Sequence, residues 1–141
     1  MIPPNPPSAR VVLTYGRFDG LSQRHLRLLQ ELAVMGSELI VGCATDAHAD
    51  TLLRPCKSPF DQRRSSLECC RHVSRVIPLH SISQVRTDIV NYDVSTVVMH
   101  ERFDGLAEEV QDIAQILWLV NGRFPKTTAL PFQSQVLALT G

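Results

Sequence analysis

Apolar residues fall into short dense runs, and between the runs they recur every three or four positions. Val11-Val-Leu-Thr-Tyr15 is rich in β-branched and aromatic side chains, with Gly16 and Asp19-Gly20 behind it, so it predicts a buried strand entering a tight turn. Leu21, His25, Leu28, Leu29, Leu32 and Met35 then follow at helical spacing from Ser22, and Gly36 sits where a helix should stop. Ser37 to Cys43 reads as a second strand. Residues 46–59 show no period and contain Pro55 and Pro59, which predicts a loop of the kind that often holds ligands. Further on, Phe60 to His72 predicts a helix with Asp61 near its start, Val73 to Ile77 a strand stopped by Pro78, and Ile82 to Asn91 another helix. Val94 to Met99 predicts a buried strand followed by the charged turn His100 to Gly105. Leu106 to Val120 reads as a helix, apolar at Val110, Ile113, Leu117 and Val120, with Asn121-Gly122 as its stop, and Thr127 to Leu130 as the last strand. Four prolines in the first seven residues predict an extended tail over 1–9, so the domain begins at Arg10.

Strands alternating with helices mean βαβ units, hence an α/β domain with a five-stranded parallel sheet, helices on both faces and the first strand central. Ligands of such sheets bind beyond the carboxyl ends of the strands, which selects residues 15–25 and 99–105.

Composition narrows the classes further. The 141 residues, 44% of them apolar, suit one soluble domain, and 14 basic against 14 acidic side chains disfavour binding to nucleic acid by bulk phosphate neutralisation. No apolar run approaches the ~18 residues of a membrane span, and the first residues lack the basic and apolar regions of a signal peptide, so the expected location is the cytoplasm. Cys43, Cys56, Cys69 and Cys70 are expected as reduced thiols. Cys69-Cys70-x-His72, with His48 elsewhere, lacks a second ligand pair, so no metal site is expected.

The segment Thr14-Tyr-Gly-Arg-Phe-Asp-Gly-Leu-Ser-Gln-Arg-His25 joins the first strand to the first helix, where free N–H groups and the helix dipole favour phosphate. It resembles the T-x-G-x-F-D-x-x-H-x-G-H signature of the cytidylyltransferase family, in particular the bacterial glycerol-3-phosphate cytidylyltransferases. Leu39 to Asp46, Phe60-Asp-Gln-Arg-Arg64 with Glu68, Arg71 to Pro78, and Asp88 to Val94 continue the resemblance in order. The resemblance implies a Rossmann-like domain in which an alcohol phosphate such as glycerol 3-phosphate attacks the α-phosphate of CTP, carried with Mg²⁺, to give a CDP-alcohol and pyrophosphate. It also implies a homodimer with active sites near the interface; Trp118, on the helix expected over 106–120, is read as core or dimer surface rather than a stacking platform. His25, Ser22 and Arg24 take the catalytic positions by this resemblance. Tyr15, Gly16, Phe18, Asp19, Arg54 and Arg63 take nucleotide- or substrate-binding ones, and Glu101, in the loop after the fourth strand, is a further binding candidate for the alcohol substrate; no protein residue is assigned to a metal.

Two signatures depart from the family pattern. Ser22 stands where the first histidine belongs and Arg24 where the glycine belongs, and the R-T-x-G-I-S-T-T segment has no counterpart beyond Lys126-Thr-Thr128. A serine hydroxyl is short and carries one donor, whereas the fork of Arg24 suits a phosphate. The expectation is therefore a nucleotide-binding domain with impaired catalysis. An active enzyme with a rebuilt phosphate site and a non-catalytic assembly module are the alternatives.

Overall fold

β1 (Val11–Gly16) takes the centre of the sheet because its side chains are apolar on both faces. Val11, Leu13 and Tyr15 enter one core cluster and Val12 the other. The computed structural model describes residues 10–51, 55–99 and 110–119. The expected tail 1–9, the turn 100–105 and the strand at 127–130 lie outside the described residues.

β2 (Glu38–Ala44), β3 (Arg75–Leu79), β4 (Thr96–Met99) and β5 (Gln115–Trp118) complete a sheet of order β3-β2-β1-β4-β5. Every pairing is parallel, from Val11 opposite Glu38 to Met99 opposite Trp118. Helices α1 (Gln23–Ala33) and α3 (Phe60–Glu68) cover one face, with Leu28, Leu29, Leu32 and Leu67 packed on Leu39, Val41 and Val98. Helix α4 (Val85–Tyr92), entered through a 3₁₀ turn at Ile82–Gln84, covers the other with Val85 and Ile89. The strands carry almost unbroken apolar runs because both faces are buried.

Three expectations are corrected. Residues 46–59 are not all loop: α2 (Asp46–Thr51) forms at once after β2, where the Thr45 hydroxyl accepts the N–H of His48 and its carbonyl that of Ala49. Pro78 does not stop β3, which continues to Leu79 because this strand ends the sheet and an edge strand tolerates a missing donor. The helix expected over 106–120 is replaced, within the described residues 110–119, by a turn and β5. Ile116 and Leu117 are buried on opposite faces of the sheet, which a strand allows and one helical stripe does not. Trp118 packs half-buried against the core cluster that contains Val97 and Ile116.

Candidate functional site

The chain leaves β1 through a junction held in an uncommon backbone. Phe18 sits at φ 51, a left-handed conformation that costs a bulky residue about 1–2 kcal/mol. Its ring is buried and folds back over Gly16, where a Cβ would lie 2.8 Å from the ring. The same ring meets His25 edge-on, with centroids 5.7 Å apart. Strain of this kind persists where packing over-determines it, and it gathers at functional sites.

Ser22 then caps α1. Its Oγ accepts the N–H of His25 at 3.3 Å, and its own N–H donates to Nδ1 of His25 at 3.2 Å. This reciprocal capping box makes Nδ1 an acceptor, so the neutral ring carries its proton on Nε2. The Ser22 hydroxyl also lies 3.1 Å from Nδ1. It is therefore engaged within the cap, whereas the Nε2–H of His25 is not part of it. Leu26 N–H binds the Ser22 carbonyl, and among the described residues the N–H groups of Gln23 and Arg24 have no protein acceptor. Arg24 is exposed on the same turn.

Below this open turn lies a closed one. Asp19 accepts the N–H groups of Lys57 at 2.7 Å and Ser58 at 3.1 Å, which tie the β1–α1 junction to the segment before α3 and hold its carboxyl below the usual range. Arg63, 2% exposed, reaches from α3 under both. It donates to the carbonyls of Ser58 (2.9 Å), Arg17 (2.8 Å) and Ala44 (2.8 Å), and to Asp46 Oδ1 (2.8 Å). Asp46 also accepts the N–H of Phe60, and these two partners, Phe60 first, hold its carboxyl below the usual carboxylate range. Cys43 lies at the same junction with its thiol pushed up to about 11 by burial, a poor nucleophile at neutral pH.

The sequence-derived site residues thus separate into groups. Gly16, Phe18, Asp19, Ser22, Arg24 and His25 gather along the β1–α1 junction. Arg63 is brought beneath them, with its guanidinium turned to backbone carbonyls and Asp46. The ring of Tyr15 points to the opposite face, lies over Gly42, and donates from its hydroxyl to Asp88 Oδ2 at 2.8 Å; burial, then Asp88, pushes the phenol's pKa above its usual range. Arg54 and Glu101 lie outside the described residues. Sequence reasoning missed Asp46 and Asp88 as partners of Arg63 and Tyr15. The Thr45-Asp46 pair closing β2 was a readable signal for the first; nothing local marks the second, 73 positions from Tyr15.

Residues 13–134 match the Cytidylyltransferase-like family. A glycerol-3-phosphate cytidylyltransferase of Staphylococcus aureus (strain NCTC 8325 / PS 47) is 30% identical over 119 residues, 84% of this chain and 90% of that protein. One from Bacillus subtilis (strain 168) is 28% identical over 119 residues, covering 84% and 92%. The crystal structure of the lipopolysaccharide core biosynthesis protein from Thermoplasma volcanium GSS1 superposes with a TM-score of 0.68 at 22% identity, over 79% of this chain and 96% of that one, which is a likeness of fold. With its signature segment at the end of the central strand, this chain belongs to the cytidylyltransferase-like family.

Proposed function

We propose that the chain binds CTP at the C-terminal ends of β1 and β2, with the phosphates against the first turn of α1, and that its catalysis is impaired. One observation carries this reading: the Ser22 hydroxyl and His25 Nδ1 satisfy each other's cap, leaving Nε2–H of His25 as the motif donor for phosphate. The relatives named as glycerol-3-phosphate cytidylyltransferases support CTP and a phospho-alcohol as ligands. In the corresponding reaction a phosphate oxygen of glycerol 3-phosphate bonds to the α-phosphorus, the bond to the β-phosphate oxygen breaks, and pyrophosphate leaves. Such transfer depends on positioning and charge stabilisation, and losing one preorganised donor costs ~10²–10³ in rate.

Among the described residues no group of three or more histidines, cysteines or carboxylates could hold a metal ion. In this reading Mg²⁺ comes bound to the triphosphate and neutralises part of its charge. The same reading makes the protein a cytoplasmic homodimer. A second reading, an active enzyme with a rebuilt phosphate site, is favoured by Arg24, which is exposed at the cradle without an acidic partner among the described residues.

The test combines calorimetry with CTP, ATP and CDP-glycerol in Mg²⁺ and an assay of pyrophosphate release with glycerol 3-phosphate. CTP should bind, and turnover should be slow. Ser22→His with Arg24→Gly should improve binding more than turnover. Wild-type turnover near the ~10 s⁻¹ typical of enzymes would overturn impaired catalysis in favour of the rebuilt site.

A further inference from the structure

On the flank of α1, Gln23, Leu26, Arg27 and Gln30 face the turn Cys70-Arg71-His72 across an open groove of about 470 Å³. Positions 23, 26, 27 and 30 form one stripe of a helix, so the sequence itself builds this wall. The lining holds two guanidinium groups, an imidazole and two amides, and no carboxylate. Arg27 and Arg71 have no hydrogen-bond or ion-pair partner among the described residues, whereas Arg63, Arg64 and Arg86 each meet a carboxylate. An anion entering the groove meets both guanidinium groups with no carboxylate of the lining to compete for them. Planar guanidinium forks match phosphate in particular, and the volume lies in the ~300–1,000 Å³ range of small-molecule sites. Leu26, 40% exposed, supplies an apolar wall.

We propose that this groove is a second anion site, centred on Arg27 and Arg71 and adjoining at Gln23 the cradle of the helix N-terminus, which takes a small phosphorylated organic molecule. The phosphate lies between Arg27 and Arg71 and the carbon skeleton against Leu26. Glutamine amides at positions 23 and 30 provide further donors to a hydroxylated ligand. The site does not depend on the CTP reading, because it uses none of the residues of the capping box.

The experiment is an amide-resolved NMR titration of the full chain with glycerol 3-phosphate, and separately with inorganic phosphate. Wild-type protein should give saturable shifts at Arg27, Cys70, Arg71 and His72, with the organic phosphate binding more tightly and both weakening as salt rises. Arg27→Glu with Arg71→Glu should lower the affinity read from the Arg71 and His72 amides at least tenfold, while Arg64→Gln, at a surface arginine that pairs with Glu68, should leave it unchanged. Circular dichroism of the variants establishes that they remain folded; should the double variant unfold, Arg27→Gln and Arg71→Gln, tested singly, should each weaken binding. Shifts confined to residues 16–25, or equal binding by the charge-reversed and wild-type chains, would overturn the proposal. So would light scattering in which the double variant disperses a dimer, which would make the groove a contact between copies, or loss of binding to phosphatidylglycerol vesicles on the same substitutions.

Discussion

The junction around Arg63 and the first turn of α1 are neighbours at the same edge of the sheet, and they solve opposite problems. At Arg63 a buried cation finds protein acceptors in three backbone carbonyls and a carboxylate. At the first turn of α1 the side chains of Ser22, Gln23 and Arg24 face solvent, and two N–H groups have no protein acceptor among the described residues. A buried arginine bonded to its surroundings fixes where three segments meet; a turn left open keeps its donors for something else. The contrast teaches that family resemblance assigns positions while the local hydrogen bonds show how each is engaged: Arg63 bonds to protein oxygens on every side, and the Nε2–H of His25 stays outside the cap.

The largest effect should come from Arg63→Ala. It strands carbonyls of Ser58, Arg17 and Ala44 in a buried place, and should cost about 3–5 kcal/mol in chemical denaturation. A cost below about 1 kcal/mol would remove the architectural half of the contrast. His25→Ala should show the converse, a loss of CTP affinity of about tenfold or 1.4 kcal/mol by calorimetry, with a smaller loss of stability. Equal affinity in this variant would mean the open turn is not where CTP binds. Ser22→Ala removes the cap acceptor and should cost about 1 kcal/mol, and Ser22→Gly only a few tenths, measured by thermal melting. The smallest effect is acid sensitivity. Asp19 and Asp46 are both held below their ordinary range, by the Lys57 N–H and the Phe60 N–H first, so their contribution is complete above about pH 4 and fades as pH falls through the lower folded values. Denaturation midpoints taken from pH 6 to pH 2.5 should therefore converge for wild type, Asp19→Asn and Asp46→Asn at the acid end. Curves that stay parallel would show that neither carboxylate stabilises the junction.

Much of this was readable from the chain. β1, α1, β2 and β4 follow from dense apolar runs and helical spacing because each is long or buried enough for its period to dominate. The region 106–120 was not readable in this way. Val110, Ile113 and Leu117 keep a helical spacing by coincidence, and a four-residue strand buried on both faces carries no alternation to oppose it. In the site, the place of His25 and Gly16 was legible because their neighbours in sequence are also their neighbours in space. The engagement of Arg63 was not: Arg17, Ala44 and Asp46 lie 46, 19 and 17 positions away, and only folding brings their oxygens together.

The proline within β3 has a meaning for the protein in crowded solution. The Leu79 carbonyl accepts the N–H of Thr45, so alternation along the strand turns the backbone of Pro78 away from β2, towards the outer margin of the sheet. A strand from another molecule approaching that margin would meet a nitrogen without a hydrogen and, nearby, the exposed residue Arg75. β3 is thus a poor template for sheet extension, and the protein can carry an apolar five-stranded core with one margin guarded against fibril-like stacking.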